Sequence, residues 1–293
     1  MRKLIKMEMK KAICSKFFLM GMGFLLLFAL LSAWYMVENW MLYNPDIVLS
    51  ERFYIDGKYV KNPDIALFSF HGAWIGGEIL SLASMVFFRL VPIAAAIPYG
   101  WTFCRELKSG YMKNVASRVN KKKYIFAKAL AVFTSGALAV LIPLIVNVLL
   151  VSAFIPYNDP YVTDSAYNYT DYGQLWSDIY FNNQLLFVIL HLLLDGLYGG
   201  IFALLSFSVS FYIKNVLAAM FFPFIATLVL GYLNSNLWTN LPGRMPRCIN
   251  PVDFIAPLHG GITVWWIVLL VTAILLSFII ATIVLKGFKD EVF

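Results

Sequence analysis

The sequence predicts an all-α integral membrane protein: six transmembrane helices, an N-terminal interfacial helix and a polar helix in the loop between spans two and three. Three observations carry this. Hydrophobic residues make up 61% of the 293 positions and charged residues only 13%, with mean hydropathy +0.76, whereas water-soluble domains sit near about 45–50% and about 25%. Six apolar runs approach or exceed the roughly 20 helical residues that about 30 Å of hydrocarbon demands. Finally, Lys and Arg collect in the linkers on one side of those runs.

The runs are Phe17–Val37, Ile79–Trp101, Tyr124–Phe154, Gln184–Tyr212, Asn215–Ser235 and Ile262–Leu285. The third and fourth are long enough to tilt or to extend past the bilayer. Only Ile213 and Lys214 separate the fourth from the fifth, which predicts a tight helical hairpin. The first run follows a basic stretch as a signal peptide would, but its 21 residues exceed a signal core of about 7–15. It is therefore read as a span, with cleavage near Ala29, Ser32 and Ala33 as the alternative. Tyr and Trp gather near the ends of the runs, as in interfacial belts.

Charge sets the orientation. Arg2, Lys3, Lys6, Lys10, Lys11 and Lys16 precede the first span, and Arg105, Lys108, Lys113, Arg118 and Lys121–Lys123 follow the second. Lys214, Lys286 and Lys289 fall on the same side, against Arg52, Lys58, Lys61, Arg244 and Arg247 on the other. The positive-inside rule places both termini in the cytoplasm of a multi-pass cell-membrane protein. The net charge of +7 is thus a topology signal, and nucleic acid is excluded as a partner because no solvated basic face exists.

Residues 1–16 alternate Leu4, Ile5, Met7 and Met9 with basic residues. They can lie flat on anionic lipid as an amphipathic helix, the alternative being a frayed basic leader. Residues 17–293 form the six-helix domain. In the external loops, Asn44-Pro45-Asp46, Asp56-Gly57 and Asn62-Pro63-Asp64 mark turns, and residues 236–261 are too rich in Pro and Gly for one span, though short half-helices fit there. Cys14 and Cys104 fall on one side and Cys248 on the other, which predicts no disulfide.

Few residues suggest chemistry. No phosphate-loop G-x-x-x-x-G-K and no HExxH occur. His71 and His259 lack neighbours at ligand spacing, so no metal site is predicted. His191, Ser206 and Ser208 share one span without a nucleophile turn, so no enzyme is predicted. Arg89 and Asp195 lie at similar depth in two spans running the same way. An unpaired charge there costs at least about 2.5–3.5 kcal/mol, which predicts that they pair or share a polar cavity, with His191 one turn away. The role is either a substrate or gating site or a lock between helices. Gly196, Gly199, Gly200, Ala203 and Ser206 form a stripe of small residues, for close packing within the chain or a dimer seam. Pro92, Pro98 and Pro143 predict kinks.

The loop after the second span holds Arg105, Glu106, Lys108, Gly110, Lys113 and Asn114, then Lys121–Lys123, Tyr124 and Lys128. Residues 103–116 fit one short surface helix whose charges point in several directions. This pattern resembles the ABC type-2 exporter permease family, in which an acidic residue, a Gly, Lys-Asn, a basic cluster and a Tyr and Lys open the next helix. The surface helix, six spans and broken outer segment fit as well. The resemblance implies that the loop is a coupling helix seated in a separate ATPase subunit, with two ATPases serving two permease copies as a homodimer or pseudo-dimer. ATP and Mg would reside on that partner, with no cofactor in this chain. The implied cargo is amphipathic: a toxin-like or antimicrobial peptide, a lipid or a drug. The rival expectations are a proton-coupled secondary transporter using Asp195 and His191, and a non-transporting membrane scaffold or immunity protein.

Overall fold

The computed structural model describes residues 1–42, 52–55, 57–61, 69–160, 170, 174–239, 247–256 and 262–289. In chain order it contains α1 (Arg2–Ile13), α2 (Lys16–Leu42), β1 (Arg52–Ile55), β2 (Lys58–Lys61), α3 (Phe70–Ala73), α4 (Leu82–Ala96), α5 (Thr102–Lys108) and α6 (Tyr111–Ala116). There follow α7 (Lys121–Phe154), α8 (Ser177–Asn182), α9 (Gln184–Val209), α10 (Val216–Thr239), α11 (Pro251–Ile255) and α12 (Trp265–Thr282), which continues as a π-helical stretch over Ile283–Lys289. Among the described residues five helices, α2, α7, α9, α10 and α12, are long and apolar enough to cross a membrane, so the chain has the make-up of a multi-pass membrane protein.

The sixth expected span is shorter than the sequence suggests. α4 has 15 residues, about 22 Å of rise, where the apolar run from Ile79 to Trp101 predicts a full crossing. Ser81 caps its start by accepting a hydrogen bond from Ser84 N at 3.0 Å. Its end lies just before Pro98, which has no N–H to offer the Ala94 carbonyl. Turns over 97–101 follow, and α5 begins at Thr102. The freed carbonyl is packed by Gly21 of α2, where a Cβ would sit 2.8 Å from the Ala94 oxygen. Only a glycine lets the two backbones approach this closely.

The expectation of helix alone is also incomplete. β1 and β2 pair antiparallel, Arg52 opposite Lys61 and Ile55 opposite Lys58, around Gly57 at φ +80°. An Asp-Gly pair between two short β-prone runs favours a two-residue hairpin, a signal overridden by the helical character of everything around it.

The interior is built on α7. Gly136 meets α9 so closely that a Cβ would lie 2.5 Å from Ala203 Cβ and 2.7 Å from the Gly199 oxygen. Gly196 is seated on Leu141 and Gly200 on Phe133. The small-residue stripe of α9 therefore packs inside the chain. Further along α7, buried Asn147 donates to the Ala29 carbonyl of α2 at 2.7 Å and accepts from Ile75 N at 2.8 Å. A buried amide satisfied on both its oxygen and its nitrogen fixes the register of three segments. The apolar core around it includes Leu25, Phe87, Phe88, Val91, Val140, Leu144, Tyr198 and Phe202.

Candidate functional site

A buried cluster of charged and hydroxyl groups lies at the start of α7. Asn120 caps the helix, its Oδ1 accepting from Lys122 N at 3.0 Å. One turn in, Tyr124 and Lys128 are four residues apart and so share a face, and both are buried. That face meets Glu106 of α5. Lys128 Nζ donates to Glu106 Oε1 at 2.5 Å and Tyr124 OH donates to Glu106 Oε2 at 2.9 Å. α5 is held in place by Phe103, whose ring lies 5.0 Å from Phe207 and 4.6 Å from Phe211.

A second carboxylate approaches from α1. Glu8 is fully buried. Its Oε1 accepts from Lys11 Nζ at 2.9 Å, and its Oε2 accepts from Tyr99 OH at 2.7 Å and lies 3.9 Å from Lys128 Nζ. The Lys128 ammonium also sits 4.5 Å from the centroid of the Tyr99 ring, a favourable cation–π placement. Two carboxylates and two ammonium groups balance one another. That balance is what allows their burial, since an uncompensated buried charge is strongly destabilising. Burial weighs against the charge of Lys11, but the hydrogen bond and proximity of Glu8 outweigh it and hold its pKa above the usual lysine value.

The joint fastens four segments that the sequence separates: α1, the 97–101 turns, α5 and α7. Beyond it, α5 and α6 do not form the single helix expected over 103–116. Gly110 adopts φ +69°, a left-handed conformation that ends one helix and turns the chain into the next. Arg105, Lys108, Ser109, Tyr111 and Asn114 are exposed on this helical hairpin, while the Lys113 side chain lies outside the described residues. Glu106, named from sequence among the coupling residues, is engaged with Tyr124 and Lys128 and so anchors the hairpin to α7.

The intramembrane pair expected from sequence does not form. Asp195 is fully buried, and neither of its carboxyl oxygens nor either nitrogen of His191 has a hydrogen-bond partner among the described residues. His191 is enclosed by rings, Phe187 at 4.5 Å and Trp176 at 5.2 Å. Arg89 is exposed. It points away from the interior, because the buried face of α4 carries Phe88, Val91, Ala94 and Ala95. Arg89 instead borders a cavity of about 490 Å³ between α4, α10 and α11, with Thr227, Tyr232, Asn250 and Asp253. Burial pushes the Asp253 carboxyl up to about 6, against the pull of the Arg89 cation.

Of the other residues weighed from sequence, His71 is buried, with Nδ1 2.6 Å from Ser69 Oγ. Burial lowers its pKa to about 4, against the opposing charge of Asp159. His259 lies outside the described residues, and among those described no cluster suited to a metal ion occurs. Sequence reasoning missed Glu8, Tyr99 and Asp253. For Glu8 a signal existed: it is the lone acidic residue in a segment of six bases, three positions before Lys11. No protein-family model matches the chain, and neither a curated protein nor a solved structure matches it.

Proposed function

We propose that the chain is the membrane subunit of an ATP-driven exporter of the ABC type-2 kind. In this reading α4 is the sixth span, both termini are cytoplasmic, and the α5–α6 hairpin is the coupling element that docks in a separate ATPase. Two permease copies and two ATPases make the transporter, and ATP and Mg belong to the ATPase. The cargo is amphipathic, such as a toxin or antimicrobial peptide, a lipid or a drug. The observation that carries the proposal is the Glu106–Lys128 contact. A loop that transmits mechanical work needs a stiff connection to the spans, and Glu106 connects it to α7 while Glu8 and Tyr99 extend the connection to α1.

The exposed Arg89 and the polar cavity beside it are consistent with this reading. A charged side chain partway along a lipid-facing helix is costly, and water or a second copy over the α4–α10 face would relieve that cost. The proton-coupled alternative depends on Asp195 and His191, whose enclosure in α9 offers no evident route for a proton among the described residues.

The test is co-purification with a phosphate-loop ATPase co-expressed from the same genome. Lys108→Glu and Asn114→Trp, both at exposed positions of the hairpin, are expected to release the ATPase while leaving the permease folded by size-exclusion and thermal unfolding. Retention of the ATPase by both variants, or failure of every ATPase to bind the wild type, overturns the proposal.

A further inference from the structure

A second cavity lies beside the charged joint, at the junction of α1 and α2. It measures about 560 Å³ and opens between Lys11, Ser15, Lys16 and Phe17 on one side and Trp101, Arg105 and their neighbours on the other. That volume falls within the range of about 300–1,000 Å³ usual for small-molecule sites. Its lining is cationic. Lys11, Lys16 and Arg105 face a single carboxylate, Glu106, which Lys128 already holds. Lys11 is engaged with Glu8, but neither Lys16 nor Arg105 has an acidic partner among the described residues. Arg105 rests on the Trp101 ring at 5.3 Å, and Trp101 meets Phe17 edge-on at 4.9 Å.

The vertical order of these groups indicates the ligand. Lys16 opens α2, a helix apolar enough to cross a membrane, and the residues just beyond it, Phe17, Leu19 and Met20, are exposed by 40%, 61% and 62%. Cations therefore stand at the mouth, aromatic rings form the wall, and an apolar helix surface descends from them. A phosphodiester carrying acyl chains matches that sequence: negative charge for Lys16 and Arg105, then a glycerol backbone beside the rings, then hydrocarbon along α2. A water-soluble anion uses only the first of these features. We infer that this cavity binds the head group of an anionic phospholipid, with Lys16 and Arg105 holding its phosphate. The inference does not depend on the transport reading. It requires only that α2 enters a membrane at Lys16.

The experiment uses the full chain purified in a neutral detergent and titrated with dioctanoyl phosphatidylglycerol, followed by microscale thermophoresis. Saturable binding is expected, weaker by about tenfold or more for dioctanoyl phosphatidylcholine and for Lys16→Gln/Arg105→Gln, since hydrogen bonds to charged groups are among the stronger ones. The charge-keeping variant Lys16→Arg/Arg105→Lys is expected to bind nearly as wild type, which separates loss of the site from loss of the fold. Inorganic phosphate at the same concentration is expected not to displace the lipid. Equal affinity for the two lipids, wild-type affinity in the glutamine variant, or equal loss in both double variants overturns the inference. Displacement by phosphate alone overturns the lipid as ligand and leaves a site for free anions.

Discussion

Lys128 of α7 and Glu106 of α5 are 2.5 Å apart, and the lysine is completely buried while the carboxylate side chain keeps 16% of its exposure. Glu106→Gln leaves the ammonium buried beside the more distant Glu8 alone. Breaking a buried pair from one side costs about 3–5 kcal/mol, and loss at the lower end is expected because Glu8 remains. Glu106→Gln/Lys128→Met removes both charges and is expected to be more stable than Glu106→Gln alone. Thermal unfolding of the wild type, Glu106→Gln, Lys128→Met and the double variant in one detergent checks this, and additive losses would rule out direct coupling.

Tyr99→Phe removes the hydroxyl that donates to Glu8 at 2.7 Å while keeping the ring beneath Lys128. The carboxylate then lacks one of its buried donors, a loss of about 1–3 kcal/mol. Because the contact spans 91 positions of sequence, the expected signature is also local. Limited proteolysis should release α1 earlier in the variant than in the wild type, and unchanged cleavage would count against the contact.

Gly136→Val tests the α7–α9 seam. Its Cβ would overlap Ala203 and the Gly199 carbonyl and press on the Ala95 carbonyl. Overpacking a tight interior typically costs about 1–3 kcal/mol, and here backbone is among the obstructing groups, so the upper end is expected. Gly23→Val on α2, where a Cβ meets nothing within 4 Å, is the control and should unfold near the wild-type temperature.

Asp253 links stability to pH. Burial raises its carboxyl from the usual 3.8 to about 6, so the folded state holds the proton more tightly than the unfolded chain. The resulting stability is fully present below about 3.8 and is lost as pH rises through about 6. Arg89→Gln removes the cation that restrains this shift and moves the titration to higher pH. Following the protonated carboxyl band by infrared spectroscopy, with Asp253→Asn to assign it, tests the direction. An unchanged titration in Arg89→Gln would show that the two groups do not interact.

The swapped protein Arg89→Asp/Asp195→Arg is expected to be no more stable than either single variant, since the structure places the two side chains in different surroundings. Asp195→Leu is expected to hold or raise the unfolding temperature, because it removes polar atoms that have no partner among the described residues. Rescue in the double variant would reinstate the direct pair.

What could be read from sequence follows from what each pattern encodes. Length and hydropathy locate α2, α7, α9, α10 and α12 within a few residues, because hydrocarbon thickness sets a minimum run and only polar linkers break it. The same measure overextends α4. Hydropathy counts Ile97 and Tyr99 as membrane-like, whereas Pro98 interrupts the hydrogen-bond ladder between them. Depth could be counted for Arg89 and Asp195, but which way each faces depends on neighbours that a single segment does not reveal. Glu106, Tyr124 and Lys128 stood out as a pattern, and their meeting at one point needed the fold of the 97–101 turns. Glu8 lay hidden because a helix among basic residues is read for its positive face.

α7 is pinned at three heights: by Glu106 at Lys128, by Gly199 and Ala203 at Gly136, and by Ala29 and Ile75 at Asn147. Pro143, its one internal weak point, falls between two of these pins. These pins are spread along a helix whose far end, Phe154, lies about 39 Å from Lys128, so any bend at Pro143 works against the contacts with α2 and α9 on either side of it.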